Sequence, residues 1–343
     1  MSNRRRLRRS LVVLLLLAIV LAAGWTGVWY VLAGQVAAQV MAWEQQQRGQ
    51  GWVITHGSAR RSGWPMAAGV TLPDIAVSGG SRLLLGGLAW HADSLKLAVD
   101  IRHLHDLYFG VTGRQTLRLG GAPALPFQAT AFAGQIGLAP GPNPGLLQLH
   151  ASGLIAAIPT AEGQAAPVAI ATLDAAALAD GGADAAGQAL VLAATMGAIG
   201  LPPHLLPGLG RDVRRLSFDA AISGPLPATG VVGTAWRRAG GSLALRALHL
   251  AYGPLTLDGA GTFQLDAALR PEGSVILHAS GLDSTIDAFA DHDTLTQPEA
   301  RALRAMLGLM MRPPGTDTLA APLSLRAGLV SLGPIPLFRT PFP

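Results

Sequence analysis

From Leu255 to Asp266 apolar and polar positions alternate with a period of two. Leu255, Leu257, Phe263 and Leu265 share one phase with Gly259 and Gly261, while Thr256, Asp258, Thr262, Gln264 and Asp266 take the other. Successive side chains of a strand point to opposite faces, so this is a strand with one dry face and one wet face. The alternation recurs at Leu95, Leu97, Val99 and Ile101, at Leu117 and Leu119, and at Phe218, Ala220 and Ile222. Leu243 and Leu245 occupy odd positions but Leu248, Leu250 and Tyr252 even ones, which predicts a bulge or tight turn near Arg246-Ala247. The stretch Trp236 to Gly273 as a whole reads strand, turn, strand, turn. Further strands are expected at Trp52–Thr55, at Val168–Leu173 and from Ala321 onward. Arg60 to Pro65 reads as a turn, and Val70 to Val77 as an extended segment interrupted by Pro73.

A helical period appears near the C-terminus. Thr296-Gln297-Pro298-Glu299 fits a capping box, and Leu303, Met306, Leu307 and Met310 then follow at i, i+3, i+4 and i+7. Pro313-Pro314-Gly315 stops that helix, and a shorter one is expected over Ser284 to Ala290.

The N-terminus follows a third pattern. From Leu11 to Ala33 there are 23 residues without a charge, about 34 Å of helix, against a hydrocarbon core of about 30 Å. Arginines at 4, 5, 6, 8 and 9 precede it, which places that end in the cytoplasm. Trp25, Trp29 and Tyr30 fall at its far end, as an aromatic belt would. The alternative is a signal peptide using Leu11 to Ala23, with cleavage near Ala22-Ala23-Gly24. The anchor reading gives a cytoplasmic tail at 1–10, a transmembrane helix at 11–33, a juxtamembrane helix at 34–50 and a β-rich periplasmic domain at 51–343. The loop from Pro202 to Gly208 is where that domain would divide into two halves, near 200–210.

Charge sharpens this picture. The chain carries a net +5, but the five arginines before residue 10 account for all of it, leaving twenty basic against twenty acidic side chains. The high pI therefore belongs to a tail and gives no reason to expect nucleic acid as a partner. With 43 Gly, 24 Pro and only 13% charged residues, the composition suits many short strands and argues against disorder. The fold class expected is mainly β: one N-terminal transmembrane helix, then a large antiparallel, curved or groove-like sheet with one or two short helices near the C-terminus.

Catalytic motifs are missing. There is no G-x-S-x-G elbow, phosphate loop or H-E-x-x-H, and the chain has no cysteine. Gly259-Ala260-Gly261 starts like a dinucleotide loop, but Gln264 replaces the third glycine. His103, His105 and Asp106 have a spacing that could hold a metal, yet read better as a solvated strand end. Asp291-His292-Asp293 reads as an exposed inter-helix turn. Met306, Met310 and Met311 either fill the core or face a lipid or partner. Trp64, Trp90 and Trp236 read as packing anchors. No enzyme activity, cofactor or metal is expected.

Several turn motifs carry a resemblance. Trp236-Arg237-Arg238-Ala239-Gly240-Gly241, Tyr252-Gly253-Pro254-Leu255, Gly259-Ala260-Gly261-Thr262, Leu265-Asp266 and Arg270-Pro271-Glu272-Gly273 resemble an uncharacterised, mainly alphaproteobacterial family of membrane-anchored envelope proteins, catalogued as a domain of unknown function. Gly63-Trp64-Pro65 and Leu332 to Leu337 are similar to the same family, whose typical member has Trp-Gly-Pro where this chain has Tyr252-Gly253-Pro254. A more distant similarity is to AsmA-like envelope proteins, and it implies a long curved sheet whose apolar face carries phospholipid acyl chains.

Two functional classes stay open. One is a lipid-binding groove lined by Leu255, Leu257, Phe263 and Leu265, with Leu303, Met306, Leu307 and Met310 on a helix that lids or caps it. The other is a non-catalytic assembly protein that binds another envelope protein, with the same dry face closed as a core.

Overall fold

The computed structural model describes residues 2–80, 87–100, 102–139, 145–159, 165–179, 188–202, 207–224, 232–292, 294–310, 318–333 and 335–339. It opens with one unbroken helix, α1 (Ser2–Gly49), which joins the expected membrane and juxtamembrane segments. No proline interrupts it, and Gly49 and Gly51 end it. It is long and apolar enough to cross a membrane.

Among the described residues seventeen strands follow. They are β1 (Val53–Thr55), β2 (Arg60–Ser62), β3 (Ala67–Gly79), β4 (Leu88–Asp100), β5 (His103–Leu119), β6 (Leu125–Gln128), β7 (Ala131–Gly137), β8 (Leu146–Pro159), β9 (Ala165–Ala179) and β10 (Gln188–Gly200), then β11 (Asp212–Ser223), β12 (Ser242–Tyr252), β13 (Leu255–Leu265), β14 (Pro271–Ser280), β15 (Thr318–Arg326), β16 (Leu329–Leu332) and β17 (Ile335–Arg339). Every pairing is antiparallel. The short β1 and β2 both lie on β3, the short β6 and β7 both bridge β5 to β8, and every later strand pairs with the next along the chain. Short glycine-rich joints supply local turns such as the one between β12 and β13, while the connections from β11 to β12 and from β14 to β15 carry helices. β10 and β11 pair directly across residues 200–212. The ladders run without a break from β3 to β17 in one sheet.

Three helices join it: α2 (Val232–Arg238), α3 (Leu282–Asp291) and α4 (Gln297–Met310). The last two fall where the helical period put them. At the start of α4 the Glu299 carboxylate accepts from both the backbone N–H and the hydroxyl of Thr296, at 2.8 and 2.7 Å. These bonds hold the Glu299 carboxyl below its usual range.

Four local expectations need correction. Arg60–Ser62 is a strand, so the turn is shorter than expected and begins at Gly63. Pro73 does not interrupt β3: it pairs opposite Ser94, and the register with β4 is the same on either side of Asp74, whose φ is 53°. Trp236, Arg237 and Arg238 are helical, because the chain between β11 and β12 makes a turn of α2 instead of a hairpin. Trp64 is no packing anchor, being 58% exposed.

The phase shift expected near Arg246-Ala247 is present: the register on both neighbouring strands slips between Leu245 and Leu248. It keeps Leu243, Leu245, Leu248, Leu250 and Tyr252 on one face. Buried clusters form along that face, one around Val70, Leu72, Ile75, Ala92 and Val111, another around Val168, Ile199, Leu209, Val213 and Tyr252.

Candidate functional site

The dry face continues from strand to strand because the register preserves its phase. Leu257 of β13 faces Leu250 on one side and Ala279 on the other, and Phe263 faces Leu243 and Gly273. Leu250 in turn faces Leu216, which faces Met196. Leu255, Leu257, Phe263 and Leu265 therefore belong to one continuous apolar surface, as the sequence indicates. The sequence also carried the signal for Phe218, Leu245, Leu277 and Leu323, which extend it. Its two glycines have a packing reason. A Cβ on Gly261 would stand 2.1 Å from the Ser274 carbonyl, and one on Gly259 would stand 2.8 Å from Leu277 Cδ2. The neighbouring strand leans over both positions.

Much of this surface is only partly covered. Leu192, Leu216, Phe218, Leu245, Leu257, Phe263, Leu277 and Leu323 are all half-buried. The whole chain exposes 20991 Å², against about 13,000 Å² for a compact monomer of 35.3 kDa.

Cover is concentrated at three places. α1 lies on the first strands, with Val40 against the cluster of Val70 and Leu72. α3 closes one end of the later strands. Phe289 packs on the Leu209–Tyr252 cluster, and the Tyr252 hydroxyl donates to the Gly210 carbonyl at 2.7 Å. Burial, with the Asp212 charge second, pushes the Tyr252 hydroxyl above its ordinary pKa. α2 sits at the opposite end of those strands, where the Trp236 indole donates to the Ser223 carbonyl at 2.8 Å.

α4 packs against α3, and the Arg304 guanidinium meets the Asp287 carboxylate between them. Leu303 and Met306 are 38% and 41% exposed, Leu307 is half-buried, and the Met310 side chain lies outside the described residues, as does Met311. The stripe is thus carried by a different element from the sheet's apolar residues.

The other face is polar. Three pairs punctuate it: His91 Nε2 with Asp74 at 2.8 Å, His150 Nδ1 with Asp174 at 2.7 Å, and His249 Nδ1 with Asp258 at 2.7 Å. A shallow depression of about 650 Å³ crosses it, lined by Tyr108, Gln135, Gln148, His150, Asp174 and Thr195. His103 and His105 are exposed at the start of β5, and His292 Nδ1 donates to the Ala288 carbonyl as α3 ends. Asp293 lies outside the described residues. Among the described residues no group of three or more His, Asp or Glu could hold a metal ion.

The sequence profile of a bacterial family described as an uncharacterized protein conserved in bacteria matches residues 29–341. That match names neither a narrower taxon nor an AsmA-like relative. No curated protein matches the chain, and no solved structure does.

Proposed function

The chain belongs to that uncharacterized bacterial family (DUF2125), and for this member we propose a non-catalytic, membrane-anchored protein whose dry sheet face holds phospholipid acyl chains. The single observation that carries the reading is the continuous apolar surface, half-buried across β10 to β15 and supported at its ends by α2 and α3. A soluble sheet normally covers such a face with a second layer. An acyl chain laid along it gains about 0.8 kcal/mol per buried methylene, so a partial tail suffices for useful retention.

The anchor sits in the inner membrane, with the arginines in the cytoplasm and the sheet in the periplasm. Lipid transport or homeostasis in the envelope fits that placement, as does the AsmA-like likeness of the repeated strand and glycine-joint pattern. A second reading is an assembly role for another envelope protein, engaged through a strand edge of the sheet.

The test is retention of phospholipid by the full chain after exchange from detergent into a lipid-free amphipathic polymer. Phe263→Glu puts a carboxylate on the dry face and should abolish retention while the fold persists. Equal lipid in both proteins would refute the reading.

A further inference from the structure

α1 is docked on the sheet at a height that matters. The Trp25 indole donates to the Pro65 carbonyl at 3.0 Å, and the Trp29 indole to the Ala67 carbonyl at 2.7 Å. At the next residue the Arg61 guanidinium lies 3.9 Å over the Tyr30 ring, and one turn on from Trp29 Ala33 is fully buried. From Trp29 to Arg48, whose guanidinium donates to the Ile54 carbonyl, is about 29 Å of helix. It runs beside about 33 Å of β3 from Ala67 to Val77. Helix and strand therefore lie side by side, and the turn Gly63-Trp64-Pro65-Met66 lies beside Trp25, at the N-terminal end of the docked stretch of α1.

The free part of the helix is too short for the bilayer. With Arg9 held at one headgroup layer, Leu11 to Trp25 covers about 21 Å. The hydrocarbon core is about 30 Å thick, so the remaining 9 Å or so, about six residues to Val31, comes from helix already docked on the sheet. Whatever sits beside Trp25 and Trp29 enters the leaflet with them.

The turn has the surface this requires. Trp64 and Met66 are 58% and 56% exposed, and no charge occurs between Ser62 and Pro73. Leu104, exposed in the next hairpin, lies at the same end of the sheet, since Ala67 pairs with Asp100 and Asp100 with His103. Arg61, on Tyr30, marks the level of the phosphates.

We propose that the Trp64–Pro65–Met66 turn is a membrane wedge, buried in the leaflet that faces the sheet, so that the sheet stands in the bilayer surface instead of hanging from a free tether. The proposal rests on the anchor part of the function proposed above and does not depend on lipid occupying the dry face.

The chain has no cysteine, so one can be introduced as a unique label site. The full chain carrying Met66→Cys, labelled with an environment-sensitive fluorophore, is placed in phosphatidylcholine–phosphatidylglycerol vesicles with or without nitroxide-bearing lipids. Leu119→Cys, exposed at the opposite end of β5, is the control, and Trp64→Cys is a second probe should the first variant fold poorly. Expected is a blue-shifted probe at 66 or 64, quenched severalfold more by nitroxide lipid than by aqueous iodide, with the reverse at 119. A probe at 66 and 64 quenched chiefly by iodide, in chain that stays with the vesicles on alkaline washing, overturns the wedge and leaves the anchor. Chain that washes off overturns the anchor and the wedge with it.

Discussion

His56 Nε2 lies 3.0 Å from Glu44 Oε1, and this contact ties the end of β1 to the last turns of α1. Glu44 is the first charged residue after Arg9, and it is buried to 5% exposure. Arg48, one turn on, approaches its other oxygen at 3.8 Å and bonds the Ile54 carbonyl. A carboxyl group buried here must keep hydrogen-bonding partners, since leaving one unpaired costs about 1–3 kcal/mol. The helix is thereby held in one register against the sheet.

His56→Ala should therefore lower the stability of the full chain by about 1–3 kcal/mol. The added Glu44→Gln should recover part of the loss. Chemical unfolding followed by tryptophan fluorescence checks both, and a null effect of His56→Ala would mean that the helix is held elsewhere.

The register of β13 predicts an asymmetry between neighbours. Leu257→Asp places a charge on the dry face and should cost about 2 kcal/mol or more. Asp258→Asn loses only an exposed partner of His249 and should stay within about 1 kcal/mol. Similar losses from the two would show that the faces are misassigned.

Acid should loosen the turn between β13 and β14. The Asp266 carboxylate accepts from the backbone N–H groups of Arg270 and Ala268 at 2.9 and 2.8 Å, and pairs with the Arg270 guanidinium at 2.8 Å. The Arg270 N–H bond first, and the guanidinium with it, hold this carboxyl below its usual range. Its stabilisation is thus complete above the unfolded aspartate value, about 3.9, and is lost as pH falls through the lower folded value. Asp266→Asn should flatten that acid limb in thermal melts and lower the melting temperature near neutral pH, where the carboxylate's contribution is complete.

Topology is tested by fusions after Pro343. A reporter active only in the periplasm should be on, and a cytoplasmic reporter silent. The opposite result would reverse the orientation, and mature protein beginning near Gly24 would remove the anchor.

The alternation made the strands legible because a half-covered sheet writes its two faces directly into the sequence. The bulge at Leu245 to Leu248 could be read for the same reason, as a switch of phase in the leucines. Alanine-rich β8 to β10 were harder, since small residues mark neither face strongly. α2 was hidden because a single packed indole, Trp236, stabilises its short turn, and no periodicity can accumulate over Val232–Arg238. The role of Trp64 was unreadable for a different reason. Its exposure depends on where α1 docks, and no local pattern encodes that. The dry residues of β13 were legible one by one, but their joining to Leu216 and Met196, two and three strands away, needed the register.

The central claim is that the dry face meets lipid, and a photo-reactive amino acid at position 263 of the full chain tests it most directly. Irradiated in native membranes, the protein should yield phospholipid adducts identifiable by mass. The same probe at Gln264, which faces the polar side, should yield none. Crosslinks from position 263 only to neighbouring parts of the chain, with no lipid adduct, would contradict the account.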